Sequence, residues 1–201
     1  MGWMNDFTTY MQTDPLFRKG RHGMLTFSMI YAYSEKFVLV FSHDEVVHLK
    51  GSMFAKMPGE PEEKYANLRV AYGFMMAHPG KKLLFMGQEF AQETEWNEKQ
   101  ALPWEQAEEL DHRALQQYVK ALNTFYQEHP AWYETDFDAE GFEWLSSMDD
   151  DHSIITFMRY DAKKEERLLV VCNFTPVTYE NFKIGVPVAG KYKAVSYTHL
   201  T

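Results

Sequence analysis

The chain has 201 residues, 45% of them hydrophobic and 24% charged, a balance that excludes a disordered or fibrous protein and suggests one large or two small domains. A net charge of −9 argues against nucleic acid or an anionic membrane as the main partner. The single cysteine, Cys172, excludes an internal disulfide, and without a signal-type segment or an apolar run of membrane length a soluble, cytoplasmic protein is expected.

The first residues (Met-Gly-Trp-Met) read as an apolar loop. Asn5 or Asp6 then caps a short helix through Tyr10 and Met11, stopped by Asp14-Pro15. Residues 16–23 form a basic, glycine-containing loop. Residues 24–33 are apolar nearly all round and predict a buried helix, with a strand as the alternative. Residues 37–41 (Phe-Val-Leu-Val-Phe) are an unbroken run of β-formers, which predicts a strand buried on both faces, as in parallel sheets. It stops at Ser42, His43, Asp44 and Glu45.

A long loop is expected over 49–63, broken by Gly51, Pro58-Gly59 and Pro61. Tyr65, Leu68, Ala71, Tyr72, Met75 and Met76 then recur at helical spacing, ending at His78-Pro79-Gly80. Residues 82–86 predict a second buried strand with a polar tip at Gly87, Gln88 and Glu89. An acidic connector over 93–110 carries Trp96 and Trp104. Leu115, Tyr118, Val119, Leu122, Phe125 and Tyr126 mark an amphipathic helix that stops near Pro130. From about 136 onward β-rich runs at 141–146, 153–160, 167–174, 178–184 and 191–197 alternate with turn-formers, which predicts an antiparallel sandwich. The charged runs at 149–151 and 163–167 are solvated turns. Cys172 lies in an apolar run and reads as a small buried hydrophobe.

The order of helix, strand, polar loop, helix, strand and polar loop is that of a βα unit. The fold class is therefore α/β plus all-β. Two parallel strands cannot close a βα domain, so the first part is expected to be completed by residues outside the chain. In a βα barrel the C-terminal tip of a strand carries the chemistry, which makes His43 and Asp44 candidate site residues. The alternative is that Ser42 or Asp44 caps the following turn. Trp3 could stack on a sugar or pack in the core. Glu89 reads as structural, and His48 and His78 read as hydrogen-bonding residues of a loop and a helix end. No His/Cys/Asp spacing has metal geometry, and no glycine-rich phosphate loop is present.

The stretches at 1–6 (Met-Gly-Trp-Met-Asn-Asp), 25–28 (Leu-Thr-Phe-Ser), 41–48 (Phe-Ser-His-Asp-Glu-Val-Val-His), 56–59 (Lys-Met-Pro-Gly), 77–87 (Ala-His-Pro-Gly-Lys-Lys-Leu-Leu-Phe-Met-Gly) and 141–144 (Gly-Phe-Glu-Trp) resemble the bacterial 1,4-α-glucan (glycogen) branching enzymes of the α-amylase superfamily. The resemblance implies that residues 1–135 are the C-terminal part of a catalytic (β/α)8 TIM barrel and residues 136–201 an all-β sandwich. It implies a transglycosylase of glycogen synthesis that cuts an α-1,4-glucan and re-attaches it through an α-1,6 link without metal or cofactor. Asp44 would be the third catalytic carboxylate, binding the hydroxyls of the reacting glucose, and His43 would bind the same sugar. The nucleophile and the general acid belong to earlier strands of the missing N-terminal barrel half, so the chain alone is expected to be inactive. Position 49 is Leu where the family pattern has Gly, and the tail 196–201 departs from the family. Another superfamily hydrolase and a non-catalytic glucan-binding module are the competing readings. For the latter, the β-rich part carries only Trp144 and is expected to bind amylose weakly or not at all.

Overall fold

The computed structural model describes residues 2–194. Helix α1 (Gly2–Gln12) takes up the stretch expected to begin as a loop, because Trp3, Met4, Phe7, Tyr10 and Met11 recur on one helical face and are all buried. Residues 24–33 do not form the expected buried helix. They fold as a short α2 (Gly23–Thr26) followed by a 3-10 turn, Phe27–Ile30. Leu25 and Ser28 are buried, whereas Phe27 is exposed and Ile30 is 79% exposed. An all-round apolar segment makes a buried helix only where protein covers every side, and here one side is covered.

Strands β1 (Val38–Phe41) and β2 (Lys81–Leu84) pair in parallel, with Val38 opposite Lys81 and Phe41 opposite Leu84. The expectation of burial on both faces holds for one face only. Leu39 and Phe41 point into the core, while Val38 on β1 and Leu83 on β2 are exposed. Between the strands lie α3 (Met53–Lys56), inside the segment expected to be loop, and α4 (Pro61–Ala77). The Ser52 hydroxyl starts α3 by accepting the Ala55 N–H at 3.0 Å. Pro61 sits at the first position of α4, where its missing N–H is no loss. Helix α5 (Leu110–Glu128) packs on α4 through Leu115, Val119 and Leu122. The helices approach closely at Gly73, where a Cβ would meet the Tyr118 hydroxyl at 2.8 Å.

The β-rich part is a three-stranded antiparallel sheet of order β3 (Phe142–Asp149), β4 (Ile154–Tyr160) and β5 (Arg167–Asn173). β4 is buried along its whole length, and Phe157 on it packs edge-on against Phe74 of α4 at 6.2 Å. The run 178–184 forms no strand, and residues 191–194 form none either. Pro176 and Pro187 remove ladder donors there, Asn181 has φ 57°, and Val177, Val186 and Val188 are exposed. The rest of the 191–197 run and the tail 196–201 lie outside the described residues.

Two buried arginines join the parts. Arg18 donates to the Thr13 carbonyl at 3.0 Å, the Met11 carbonyl at 2.8 Å, Asn67 Oδ1 on α4 at 2.7 Å and the Phe174 carbonyl after β5 at 2.6 Å. Burial pulls its guanidinium down to about 10. Arg159 of β4 is 0% exposed. It donates to the Ala77 carbonyl at the end of α4 at 2.7 Å and to Asp136 Oδ1 at 3.2 Å. Asp136 also accepts the Gly80 N–H at 3.2 Å and the Tyr126 hydroxyl at 3.1 Å, so the carboxylate fixes the point where β2 begins.

Removing one member of a buried pair costs about 3–5 kcal/mol; Asp136 keeps a second, partly exposed partner in Lys81 Nζ at 3.1 Å, which puts the cost at the lower end. Arg159→Ala is therefore expected to lower the unfolding free energy by that order in urea titration. Lys19→Ala, which breaks the exposed pair with Asp151, should leave the midpoint unchanged.

His78 gives a pH prediction. Its Nδ1–H donates to the Pro79 carbonyl at 2.9 Å, which leaves Nε2 to accept the Ser28 hydroxyl at 3.1 Å. Burial pulls this imidazole down to about 3. Between that value and about 6.5 the unfolded chain binds the extra proton, so stability is present above about 6.5 and is lost as the pH falls toward 3, by up to about 1.4 kcal/mol per pH unit. Unfolding titrations between about pH 4 and 7 should show this slope reduced by about one proton in His78→Gln.

Candidate active-site cleft

β1 ends where Ser42 adopts an extended conformation and its hydroxyl oxygen accepts the Asp44 N–H at 3.2 Å. That bond starts a single 3-10 turn, His43–Glu45. Ser42 therefore caps, as one alternative had it, and the Asp44 side chain does not. The Ser42 hydroxyl also donates to Asp44 Oδ2 at 2.9 Å. The other carboxylate oxygen lies 3.4 Å from His43 Nε2, with the two side chains 57% (His43) and 47% (Asp44) exposed. The His43 ring rests against Phe85, the first residue after β2, at 5.7 Å.

His43 and Asp44 open into a cleft of about 410 Å³, which Met4, Asn5, His48 and Lys50 also line. The loop beyond the turn doubles back, and Lys50 Nζ donates to the Asp44 carbonyl at 2.7 Å while lying 3.6 Å from Glu45 Oε1. The cleft thus combines two carboxylates, two imidazoles, an amide and an ammonium over Met4 of α1. Such a set can both accept and donate hydrogen bonds.

Trp3 is not brought into this cleft. It is 6% exposed, stacked on Phe7 at 5.2 Å and tilted against Phe41 at 5.4 Å. Its ring faces are occupied by core aromatics, so the expectation that it stacks on a glucose does not fit its position, and the core alternative does. Glu89 does not line the cleft either. His48 lines it, whereas His78 is a buried hydrogen-bonding residue at the end of α4. Trp96 packs edge-on against Phe85 at 5.2 Å, and Trp104 is tilted against Phe90 at 5.4 Å. Cys172 is buried, which pushes its thiol up to about 12 and makes it inert. Among the described residues no group of three or more His, Cys, Asp or Glu side chains could hold a metal, and no helix is long and apolar enough to cross a membrane.

Sequence reasoning missed Asn5, Lys50 and Glu45. Asn5 reaches the cleft from α1, across a long stretch of chain. Lys50 returns to Asp44 only because His48, Leu49 and Gly51 take φ values of 59°, 67° and 73°, a reversal that side-chain types other than glycine do not advertise.

A family described as the alpha amylase, C-terminal all-beta domain matches residues 144–200. The 1,4-alpha-glucan branching enzyme GlgB of Aquifex aeolicus is 52% identical over 198 residues, 98% of this chain and 31% of that protein. The enzyme of the same name from Halothermothrix orenii is 52% identical over 195 residues, 97% of this chain and 31% of that protein. That from Shewanella frigidimarina is 49% identical over 193 residues, 96% of this chain and 26% of that protein. Among solved structures, a pullulanase variant from Paenibacillus barengoltzii complexed with maltotetraose superposes with a TM-score of 0.55 at 13% identity, covering 86% of this chain and 31% of the pullulanase. That likeness concerns the fold. The chain spans less than a third of the length of the curated relatives it matches. The chain thus shares about half of its residues, along nearly its whole length, with bacterial 1,4-alpha-glucan branching enzymes, and its last part matches the alpha amylase C-terminal all-beta domain.

Proposed function

We propose that the chain is the C-terminal part of a cytoplasmic 1,4-α-glucan branching enzyme of glycogen synthesis. Residues 1–135 supply the last strands and helices of a (β/α)8 barrel, with β1 and β2 as its closing strands. Residues 136–201 belong to a β-sandwich domain. The observation that carries the reading is the half-exposed Asp44 carboxylate at the C-terminal tip of a parallel strand, opening into a polar cleft. The exposed apolar side chains of Val38, Leu83 and Met86 support it too, since they suit a sheet continued by further barrel strands.

In this reading an α-1,4-glucan lies across the cleft. A nucleophilic carboxylate and a general acid, both outside these residues, cut the link and hold the glucan as a glycosyl ester, which then passes to a 6-hydroxyl in place of water. Asp44 accepts hydrogen bonds from the hydroxyls of the reacting glucose. Those bonds shorten as the ring flattens toward an oxocarbenium ion, so they stabilise the transition state more than the bound substrate. The His43 imidazole, next to Asp44 Oδ1, contacts the same sugar. No metal or organic cofactor enters these steps.

In the full-length enzyme Asp44→Asn keeps the side-chain shape but halves its acceptor capacity and removes its charge. Branching of amylose is expected to fall by about a thousandfold or more, with circular dichroism and melting temperature unchanged. Activity within a few-fold of wild type would remove Asp44 from the reaction. The chain by itself should leave the iodine staining of amylose unchanged.

A further inference from the structure

Glu95 belongs to none of the stretches that marked the cleft. It lies in the acidic connector beyond β2, yet its carboxylate reaches across to the loop that follows Asp44. One oxygen accepts the Leu49 N–H at 3.0 Å and the other accepts the Gly51 N–H at 2.8 Å. These bonds, that of Gly51 foremost, hold its carboxyl below the usual range.

The loop it grips is strained. His48 and Leu49 are consecutive non-glycine residues with φ values of 59° and 67°. Left-handed backbone is unfavourable for a residue with a Cβ, and it persists only where the surroundings over-determine it. Packing does not hold Leu49 there, because its side chain is 99% exposed. What holds the loop is polar. Besides Glu95, the Ser52 hydroxyl donates to the Glu93 carbonyl at 2.8 Å and the Trp96 N–H donates to the Val46 carbonyl at 3.1 Å. Loop and connector are thus laced together over residues 46–52 and 93–96.

The reversal has a consequence at the site. It brings Lys50 Nζ onto the Asp44 carbonyl at 2.7 Å. Lys56, from α3, supports the arrangement by donating to the Lys50 carbonyl at 2.8 Å and standing 3.9 Å from Glu45 Oε2. The titratable groups that face Glu95 are His48 on the loop and Lys56 on α3. Without the Glu95 carboxylate the Leu49 and Gly51 N–H groups lose their acceptor. The remaining bonds hold the two ends of the loop and the Lys50 side chain and carbonyl, so the backbone N–H groups of Leu49 and Gly51 are released toward right-handed backbone, which would swing Lys50 away from Asp44.

We propose that Glu95 is a positioning residue of the Asp44 site: by gripping the amides on either side of Lys50 it keeps that lysine on the Asp44 backbone, and so sets where the carboxylate meets the sugar. The proposal rests on the branching reading for its kinetic consequence and on geometry alone for its structural one. The two are read separately.

The structural arm uses the chain without substrate, as wild type, Glu95→Ala and Glu95→Gln. In Glu95→Ala, amide exchange at Leu49 and Gly51 should quicken by about tenfold or more while the global unfolding midpoint stays put. The resonance of the Asp44 carboxyl carbon should shift. Glu95→Gln, which keeps one acceptor, should lie between. Unchanged exchange at Leu49 and Gly51, or an unmoved Asp44 carboxyl resonance, overturns the proposal whatever the enzyme does with glucans. The kinetic arm uses the full-length enzyme. Glu95→Ala should lower kcat by about tenfold with KM for amylose changed less than about threefold, and Glu95→Gln should recover part of the loss. A freed loop with full kcat also overturns the proposal. A wild-type enzyme that does not branch amylose sinks the functional reading and leaves the structural arm to decide.

Discussion

The Arg159 guanidinium is the joint on which the molecule depends. It is buried on β4, and it has four partners: the Ala77 carbonyl at the end of α4, the Trp132 carbonyl, the Asp136 carboxylate and the Gly141 carbonyl in the turn before β3. Asp136 passes the constraint on by accepting the Gly80 N–H at the point where β2 begins. β2 is in register with β1, and β1 ends at the turn that carries Asp44. A buried charge is tolerable only when it is fully partnered. The joint therefore forms completely or not at all, and the antiparallel sheet, the parallel strands and the cleft share one state. Arg18 repeats the device at the other end of the β4–β5 pair, with neutral acceptors in place of a carboxylate.

The cleft is built on a different principle. Its groups are half exposed and held by short local hydrogen bonds. Ser42 fixes the start of the turn and one oxygen of Asp44, while the reversed loop returns Lys50 to the Asp44 backbone. Rigid core beneath and solvent-facing polar groups above is the arrangement that suits recognition of a hydroxyl-rich chain, since the carboxylate stays accessible while its backbone cannot move. The apolar side of the same sheet, at Val38 and Leu83, is left open.

Much of this was legible in the residues. The apolar run before His43 is long enough for a strand and too short for a helix, and it is one. The spacing of Tyr65, Leu68, Tyr72 and Met76 marks α4, and that of Leu115, Val119 and Leu122 marks α5. The strand limits at 153–160 and 167–174 are close to those of β4 and β5. What was illegible depends on partners far away in sequence. Residues 24–33 look like a buried helix, yet whether every side is covered is decided by tertiary packing. Trp3 has the composition of a sugar platform, and only the positions of Phe7 and Phe41 show that it is core. The runs after Pro176 have strand-like composition but no neighbour to pair with among the described residues. Arg18, Arg159 and Glu95 look like ordinary surface charges until the backbone groups they bind are known. In the resemblance, Leu49 stands where the family has Gly, and the structure gives that position a left-handed φ of 67°.

The claim that Asp44 grips the reacting sugar is tested most directly by a crystal structure of the full-length enzyme with maltoheptaose. The account predicts one glucosyl unit in the cleft, with at least two hydroxyls within hydrogen-bond distance of the Asp44 carboxylate and one near His43 Nε2. A sugar chain bound elsewhere, with Asp44 still facing water or turned onto a protein cation, would contradict it.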